Sequence, residues 1–164
     1  MKDAETSLVN QLAMSTPLSV AVQIALVDLL KDWGINPTAV TSHSSGEVPA
    51  AYAAGAISMQ TAMEICYARA KHAGQKIPGL GKGGMIAVGL GPDAGQDYLD
   101  RLTKGRVVIA CYNSPTSITA SGDYDAIEEL EELLKADNVF ARRLRIDCAY
   151  HSHHMKAIAA PYYA

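Results

Sequence analysis

The segment from Ser42 to Glu47 constrains the fold of this chain more than any other feature of its sequence. It reads SHSSGE and lies between a short apolar stretch around Ala39 and Val40 and an alanine-rich stretch that ends at Gly55. Small residues allow the backbone to turn sharply, and glycine is typical of the position just past a helix. The pattern therefore predicts a strand, a tight turn and a helix in direct succession.

The same turn is a candidate catalytic site, because it differs from the G-x-S-x-G nucleophile elbow at one position. Ser42 replaces the first glycine, and Ser44 occupies the position of the nucleophile. In such an elbow the serine hydroxyl is held clear of the sheet, and the following helix directs backbone N–H groups, here including that of Ser45, at a developing oxyanion. The alternative interpretation is an ordinary serine-rich helix cap.

A serine hydroxyl needs a base, and five histidines are candidates for it: His43, His72, His151, His153 and His154. His151, His153 and His154 follow the last predicted strand. A metal cluster is the competing interpretation, but no Asp, Glu or Cys follows closely enough to complete a tetrahedral set, so we predict no metal. His43 adjoins Ser44, but neighbouring side chains at a sharp turn diverge. We interpret His43 as structural or as a polar contact that lines the site.

Beyond the glycine-rich segment KIPGLGKGG, which we interpret as a hinge, the sequence predicts a separate subdomain. Strand and helix patterns follow in the order β-α-β-β-α-β over residues 85–147, and this order is typical of a ferredoxin-like unit. The last strand is predicted to run through ARRLRIDCAY with one face in water. The second helix of the unit is predicted to bury one apolar face, made by Ile127, Leu130, Leu133 and Leu134.

Two further helices are predicted before the hinge. The stretch from Pro17 to Trp33 has only scattered polar positions, with Gly34 just past its end, so we predict a helix that is buried on most sides. Ser58 is expected to cap a second helix that runs from Met59 to about Gln75.

The composition restricts the classes of protein to which the chain can belong. Its 164 residues carry a formal net charge of −3 with no cluster of lysine and arginine, so neither nucleic acid nor a membrane is predicted as a partner. The start MKDAETSLVN does not resemble a leader, and no run of about 18 apolar residues occurs. Three distant cysteines predict no disulfide framework and favour a reducing, cytoplasmic location: Cys66, Cys111 and Cys148.

Four separated blocks of sequence together resemble the acyltransferase domains of type I polyketide synthases, fungal iterative ones especially. They are similar, more distantly, to malonyl-CoA:acyl carrier protein transacylases. The blocks are HSSGE with the following AAYAAGAIS, Arg69, ACYNSPTSITASGD and AYHSHHM. The resemblance implies an α/β protein with a partial hydrolase-like core of parallel strands and helices, formed by residues 1–84 and 148–164. The ferredoxin-like subdomain, residues 85–147, is inserted into that core.

The resemblance also implies roles for individual residues. Ser44 corresponds to the acylated nucleophile and His151 to its general base, while the backbone N–H of Ser45 belongs to the oxyanion hole. Arg69, on the next helix, corresponds to the arginine that holds the free carboxylate of a malonyl group. A planar guanidinium suits that role because it binds a carboxylate through two parallel charge-assisted hydrogen bonds.

Two more residues are candidates for substrate contact. Tyr150 precedes His151 and resembles the bulky aromatic residue of malonyl-selective domains, since a ring beside the substrate α-carbon would clash with a methyl branch. Asn113 lies in the family's hairpin block and is interpreted either as a residue that lines the site or as a turn former before Ser114 and Pro115.

The implied reaction is a ping-pong acyl transfer. Ser44, deprotonated by His151, attacks the thioester of malonyl-CoA, and the phosphopantetheine thiol of an acyl carrier protein then takes the malonyl group. The implied partners are malonyl-CoA, an acyl carrier protein and neighbouring polyketide synthase domains. No metal or redox cofactor is expected.

Two other classes of function stay open. A serine hydrolase such as a thioesterase would share the elbow and a later histidine, although the charge of Arg69 suits a substrate carboxylate better. An inactive remnant is the other class, because the family's N-terminal G-x-G-x-Q block and its C-terminal part are not in this sequence. We therefore expect the chain as given to be unstable or inactive by itself and to gain activity when flanking segments are restored.

Overall fold

A helical first unit and a second unit built on a sheet make up the chain in the computed structural model, which describes residues 6–9, 11–73 and 79–160. The first unit comprises Met1–Gly74 and the second Gln75–Ala164. The sequence-based division, in which residues 148–164 return to the first part of the chain, stays a prediction. Residues 148–160 are grouped with the second unit, and their hydrogen bonds to Asp123 are within it. The start of the predicted hinge, residues 76–78, lies outside the described residues.

In its described residues, 6–9 and 11–73, the first unit consists of three helices and one short 3-10 turn. The helices are α1 (Leu12–Asp32), α2 (Glu47–Ala53) and α3 (Met59–Ala73), and the 3-10 turn Ser44–Gly46 precedes α2. As predicted, Ser58 caps α3, because its Oγ accepts a hydrogen bond from the backbone N–H of Thr61 at 3.0 Å. The buried core of the unit comprises Val20, Ile24, Ala62 and Cys66.

Helix α1 differs from its prediction in two ways. It begins at Leu12, so Pro17 lies inside the helix, where it removes one backbone hydrogen bond without ending the helix. The prediction that α1 is buried on most sides is wrong, because within the described residues only its α2 and α3 face is covered. Exposed apolar residues of α1 and its C-cap include Val22, Leu26 and Trp33, at 61%, 52% and 65% of their surface.

One helix among the described residues, α1, is long and apolar enough by length and composition to cross a membrane. This is weak evidence, because core helices of soluble proteins and N-terminal signal sequences meet the same criteria. The absence of a membrane partner therefore stays a prediction.

The strand predicted around Ala39 and Val40 is not formed in the described part of the first unit. The chain there is extended as it enters the turn, and His43 has φ −137° and ψ 123°. A strand requires a hydrogen-bonded neighbour, and residues 6–9 and 11–73 contain no strand with which this segment could pair. The parallel-sheet core consequently stays a prediction.

The second unit is built on a four-stranded antiparallel sheet in the order β2-β3-β1-β4. Its elements follow one another in the predicted β-α-β-β-α-β order, and a short helix is added at the end. They are β1 (Gly83–Val88), α4 (Pro92–Leu99), β2 (Val107–Ser114), β3 (Ser117–Asp123), α5 (Tyr124–Ala136), β4 (Ala141–Arg143) and α6 (His153–Ala157).

The core of the second unit lies between the sheet and its helices. Ile127, Leu130 and Leu134 of α5 are almost fully buried, as their helical spacing predicts, and they pack with Ile86 and Ile118 of the sheet. Burial of such side chains contributes roughly 1.5–3 kcal/mol each. This core fixes the end of β3 and the start of α5. Asp123 is the last residue of β3 and directly precedes α5.

Strand β4 ends at Arg143, so the prediction of a strand that continues to Tyr150 is wrong. After the bond from the backbone N–H of Leu144 to the carbonyl oxygen of Met85, at 2.9 Å, the chain leaves the sheet. Packing explains why the chain leaves the sheet. Ala149 lies so close to Gly83 that a Cβ added to Gly83 would be 2.8 Å from the Cβ of Ala149. The residues before the predicted base therefore follow an irregular path.

Candidate active site

Ser44 adopts the left-handed backbone conformation, with φ of 52°. This conformation is uncommon for a residue with a Cβ and persists only where the surrounding structure enforces it. His43 before it is extended, and the 3-10 turn that Ser44 opens passes directly into α2. An extended residue, a strained serine and a helix in direct succession are the backbone geometry of a nucleophile elbow.

The replacement of the elbow's first glycine by Ser42 is compatible with this turn. A Cβ added to Gly46 would lie 3.6 Å from the Cβ of Ser42, which is an ordinary van der Waals distance. Pro49 is buried in α2 and lacks the N–H that a regular α-helix would donate to the carbonyl of Ser45. The 3-10 turn that precedes α2 fits this missing donor.

The backbone N–H of Ser45 lies in the first turn of this helical segment, where N–H groups have no acceptor within the helix. Such groups are suited to an oxyanion. Beside the turn is an open cleft of about 660 Å³, lined by the elbow residues Ser42, His43, Ser45 and Gly46 and by apolar side chains of α1. The turn therefore borders space in which an acyl group could be placed.

Arg69 lies on α3 and is half-buried. Burial raises the pKa of the Cys66 thiol, and the positive charge of Arg69 partly opposes that rise. A guanidinium in such a partly desolvated position attracts a carboxylate more strongly than one in bulk water. The location suits the predicted contact with a carboxylated acyl group.

His151 is exposed at the outside of a tight turn and, like Ser44, has a left-handed backbone, with φ of 61°. Ser152 closes this turn, because its hydroxyl donates to the carbonyl oxygen of Ala149 at 2.7 Å. The Ser152 Oγ also accepts a hydrogen bond from the backbone N–H of His154 at 3.2 Å and thereby caps α6. The imidazole of His151 is thus presented by a small, hydrogen-bonded loop.

Asp123 joins this loop to the sheet. Its Oδ1 lies 2.9 Å from Nε2 of His153 and 2.8 Å from Nε2 of His154. Its Oδ2 accepts from the backbone N–H of Arg106 at 2.7 Å. Burial alone would raise the pKa of Asp123, but these hydrogen bonds and the charge of His153 outweigh burial and lower it. Asp123 is therefore ionised at neutral pH.

The same three side chains have ligand atoms within 4.8 Å of one another and could hold a metal ion. Asp123 and His153 also border a cleft of about 420 Å³. Sequence reasoning missed Asp123 because it searched for an acidic ligand close to the histidines along the chain. Asp123 ends β3, inside the ASGD part of a block used for the resemblance, and that block is the one signal that pointed to it.

The remaining candidates are in the second unit. Tyr150 is half-buried immediately before His151. Asn113 lies on β2, and its amide donates to Oγ1 of Thr119 across the β2–β3 hairpin at 3.0 Å. This contact fits the structural interpretation of Asn113, and its contact with substrate stays a prediction. The first unit contains His43, Ser44, Ser45 and Arg69, and the second contains Asn113, Tyr150 and His151.

Comparison with known proteins gives a family match over almost the whole chain. The model of the acyl transferase domain matches residues 1–163. A highly reducing polyketide synthase, sorA of Penicillium rubens, is 59% identical over 164 residues, which are 99% of this chain and 6% of that protein. The chain thus spans a small part of the length of the curated relatives it matches.

Solved structures give the same match at the level of the fold. The acyltransferase domain from module 8 of the salinomycin polyketide synthase superimposes with a TM-score of 0.82 at 32% identity, over 96% of this chain and 37% of that one. A malonyl CoA-acyl carrier protein transacylase from Clostridium perfringens superimposes with a TM-score of 0.80 at 27% identity, over 99% of this chain and 51% of that one.

Proposed function

The chain belongs to the acyl transferase domain family, and from this premise we propose that it loads malonyl from malonyl-CoA onto the phosphopantetheine of an acyl carrier protein in polyketide biosynthesis. The observation that carries the proposal is the left-handed Ser44 between an extended residue and a helix. A serine in this conformation serves no evident need of the helix cap, since Ser44 lies inside the 3-10 turn and His43 is its N-cap.

In the proposed mechanism, the first half-reaction forms an acyl-enzyme. His151 takes the proton of Ser44 as the Oγ attacks the thioester carbon, and the N–H of Ser45 stabilises the resulting oxyanion. The carbon–sulfur bond then breaks, and the departing CoA thiolate receives the proton from His151. The products are malonyl-Ser44 and free CoA.

The second half-reaction runs the same steps with a new thiol. The phosphopantetheine thiol loses its proton to His151 and attacks the ester carbon of malonyl-Ser44. The carbon–oxygen bond breaks, and Ser44 recovers a proton from His151. Because both halves use only side chains and backbone N–H groups, we expect the transfer to need no metal or redox cofactor.

The proposal is tested on the protein expressed within its full reading frame, which is loaded with labelled malonyl-CoA before an acyl carrier protein is added. We expect the label on the Ser44 peptide first and on the carrier afterwards, with one CoA released for each loading event. Label that appears on the carrier with none ever on the protein would contradict the ping-pong route. Rapid hydrolysis of an uncharged ester without transfer would favour the serine hydrolase instead.

We expect Arg69 to set the preference for a carboxylated acyl group. Arg69→Ala removes a charge-assisted contact worth about 1.5–3 kcal/mol, so loading of malonyl relative to acetyl should fall roughly 10- to 150-fold. Competition between malonyl-CoA and acetyl-CoA measures this ratio. Lys71→Ala, which removes an exposed cation two residues later on the same helix, should leave the ratio unchanged. An unchanged ratio in Arg69→Ala would reduce Arg69 to a surface side chain.

We expect Tyr150 to exclude a methyl branch at the substrate α-carbon. Tyr150→Ser should raise loading of methylmalonyl relative to malonyl by at least about tenfold, since a pocket's fit to one carbon changes binding by 1–3 kcal/mol. The control is Tyr112→Ser, which removes an exposed tyrosine from β2. Equal effects of the two changes would show that Tyr150 does not shape the acyl pocket.

We also propose that residues 85–147 are the ferredoxin-like subdomain and that the elbow belongs to a hydrolase-like parallel sheet. The antiparallel order β2-β3-β1-β4 around two helices supports the first part. The likeness to acyltransferase domain structures supports the second. The proposal has three further parts. His43 and Asn113 line the site, neighbouring polyketide synthase domains are partners, and the location is cytoplasmic.

A further inference from the structure

The loop that presents His151 is strained and needs support. A left-handed backbone is strained for a residue with a Cβ, and at His151 it persists only where neighbouring contacts over-determine it. On the N-terminal side, Ala149 is buried against Gly83. On the C-terminal side, the support comes through Ser152 and the first turn of α6.

Helix α6 is too short to be stable by itself, since it comprises only His153–Ala157. Its first two residues, His153 and His154, both direct Nε2 at the same oxygen of Asp123. The imidazole of His154 is buried, and its Nδ1 would lie 3.2 Å from a Cβ added to Gly83. Asp123 itself is fixed by the backbone of Arg106 and by its place between β3 and α5.

We propose that Asp123 is a positioning residue for acyl transfer: it holds His153 and His154, fixes the start of α6 and thereby maintains the turn that presents His151. This inference rests on the proposed function, in which His151 is the base. In the proposed mechanism, Asp123 makes no contact with the reacting atoms. The carboxylate is suited to the task because it offers one oxygen to the two imidazoles and the other to Arg106.

Asp123→Asn tests this role with little change of shape. An amide has one oxygen and one N–H₂ group, so either the imidazole pair or the N–H of Arg106 loses its acceptor. A base displaced by about 1 Å can cost roughly a hundredfold in rate. We therefore expect kcat for malonyl loading to fall at least about tenfold, with KM for malonyl-CoA unchanged. Asp97→Asn, the same change at an exposed position of α4, should be neutral.

A double-mutant cycle with His151→Gly separates positioning from general damage. The intact protein is treated with an uncharged fluorophosphonate. The rate of labelling at Ser44 is then measured by mass spectrometry of the peptide that contains it. If Asp123 acts through His151, Asp123→Asn slows labelling when His151 is present and has no further effect when it is absent. Equal slowing in both backgrounds would overturn the inference, because it would show a structural role alone.

The other outcomes are equally decisive. If His151→Gly labels as fast as the unaltered protein, the proposed function fails first, at its base. If His151→Gly is slow but Asp123→Asn is not, the function stands and the positioning role of Asp123 falls. If Asp123→Asn does not fold, His153→Ala removes one of the two imidazoles that Asp123 holds and should give a similar fall in kcat; an unchanged kcat there would overturn the inference. Loss of activity on dialysis against EDTA, restored by Zn²⁺, would make the cluster a metal site and overturn the inference.

Discussion

Ser44→Ala is expected to abolish formation of the malonyl adduct and, with it, all transfer to the carrier protein. Alanine keeps the Cβ and therefore the same backbone strain at φ of 52°, so the change removes the hydroxyl without relaxing the turn. No other group in the proposed mechanism can form the ester. Incubation with malonyl-CoA followed by peptide mass spectrometry measures the adduct.

The matched control is Ser45→Ala, one residue further along the same 3-10 turn. It removes a hydroxyl too, but it keeps the backbone N–H that is proposed to stabilise the oxyanion. Loading by Ser45→Ala should stay close to that of the unaltered protein. An adduct that survives Ser44→Ala, at any position, would assign the chemistry to a different nucleophile.

Replacement of His151 by glycine is expected to slow malonyl loading by about 10²–10⁴-fold, the usual contribution of a positioned base. Glycine is the informative substitution because it adopts a positive φ at no steric cost. At residue 151, where φ is 61°, glycine therefore removes backbone strain and adds none. The measurement is the single-turnover rate of acylation.

Added imidazole should restore part of this rate, because it can enter the space of the missing side chain and take the proton from Ser44. Ser44→Ala should show no such rescue. If imidazole accelerates neither loading nor fluorophosphonate labelling of His151→Gly, the histidine supports the turn and the base lies elsewhere.

The parts of the fold that could be predicted from the sequence are those with a local cause. The helical spacing of Ile127, Leu130 and Leu134 predicts the buried face of α5, and Ser58 predicts the start of α3, because both depend on residues a few positions apart. The exposure of α1 could not be predicted. An apolar pattern shows that a helix has a face to bury, but not whether another element covers it.

The early end of β4 has a similar explanation. Alternating side chains from Leu144 to Cys148 are typical of a strand, but a strand also requires an edge to pair with. The close approach of Ala149 to Gly83 takes the chain away from that edge. This contact joins residues far apart in sequence and leaves no local pattern.

In the candidate site, the serine turn was predictable, whereas the support of the histidine turn was not. The small residues around Ser44 predict a tight turn before a helix under both interpretations, as an elbow or as a helix cap. Asp123 is distant in sequence from His153 and His154. The pairing of β3 with β1 places Asp123 opposite Gly83, and His154 packs against Gly83. The sequence shows three histidines in four residues and cannot show which carboxylate holds two of them.

A recombination boundary between residues 74 and 75 would follow the division of the chain into its two compact units. Tyr150, the residue proposed to exclude a methyl branch, lies in a segment that contacts Gly83 and Asp123, and all three residues are in the second unit. If residues 148–151 alone were exchanged into a related domain, the loop would have to pack against residues of that domain in place of Gly83 and Asp123. Exchange of the whole second unit would transfer the loop together with the residues that hold it. The proposed exclusion of a methyl branch would then be inherited as one block, while the serine turn and Arg69 stay with the first unit.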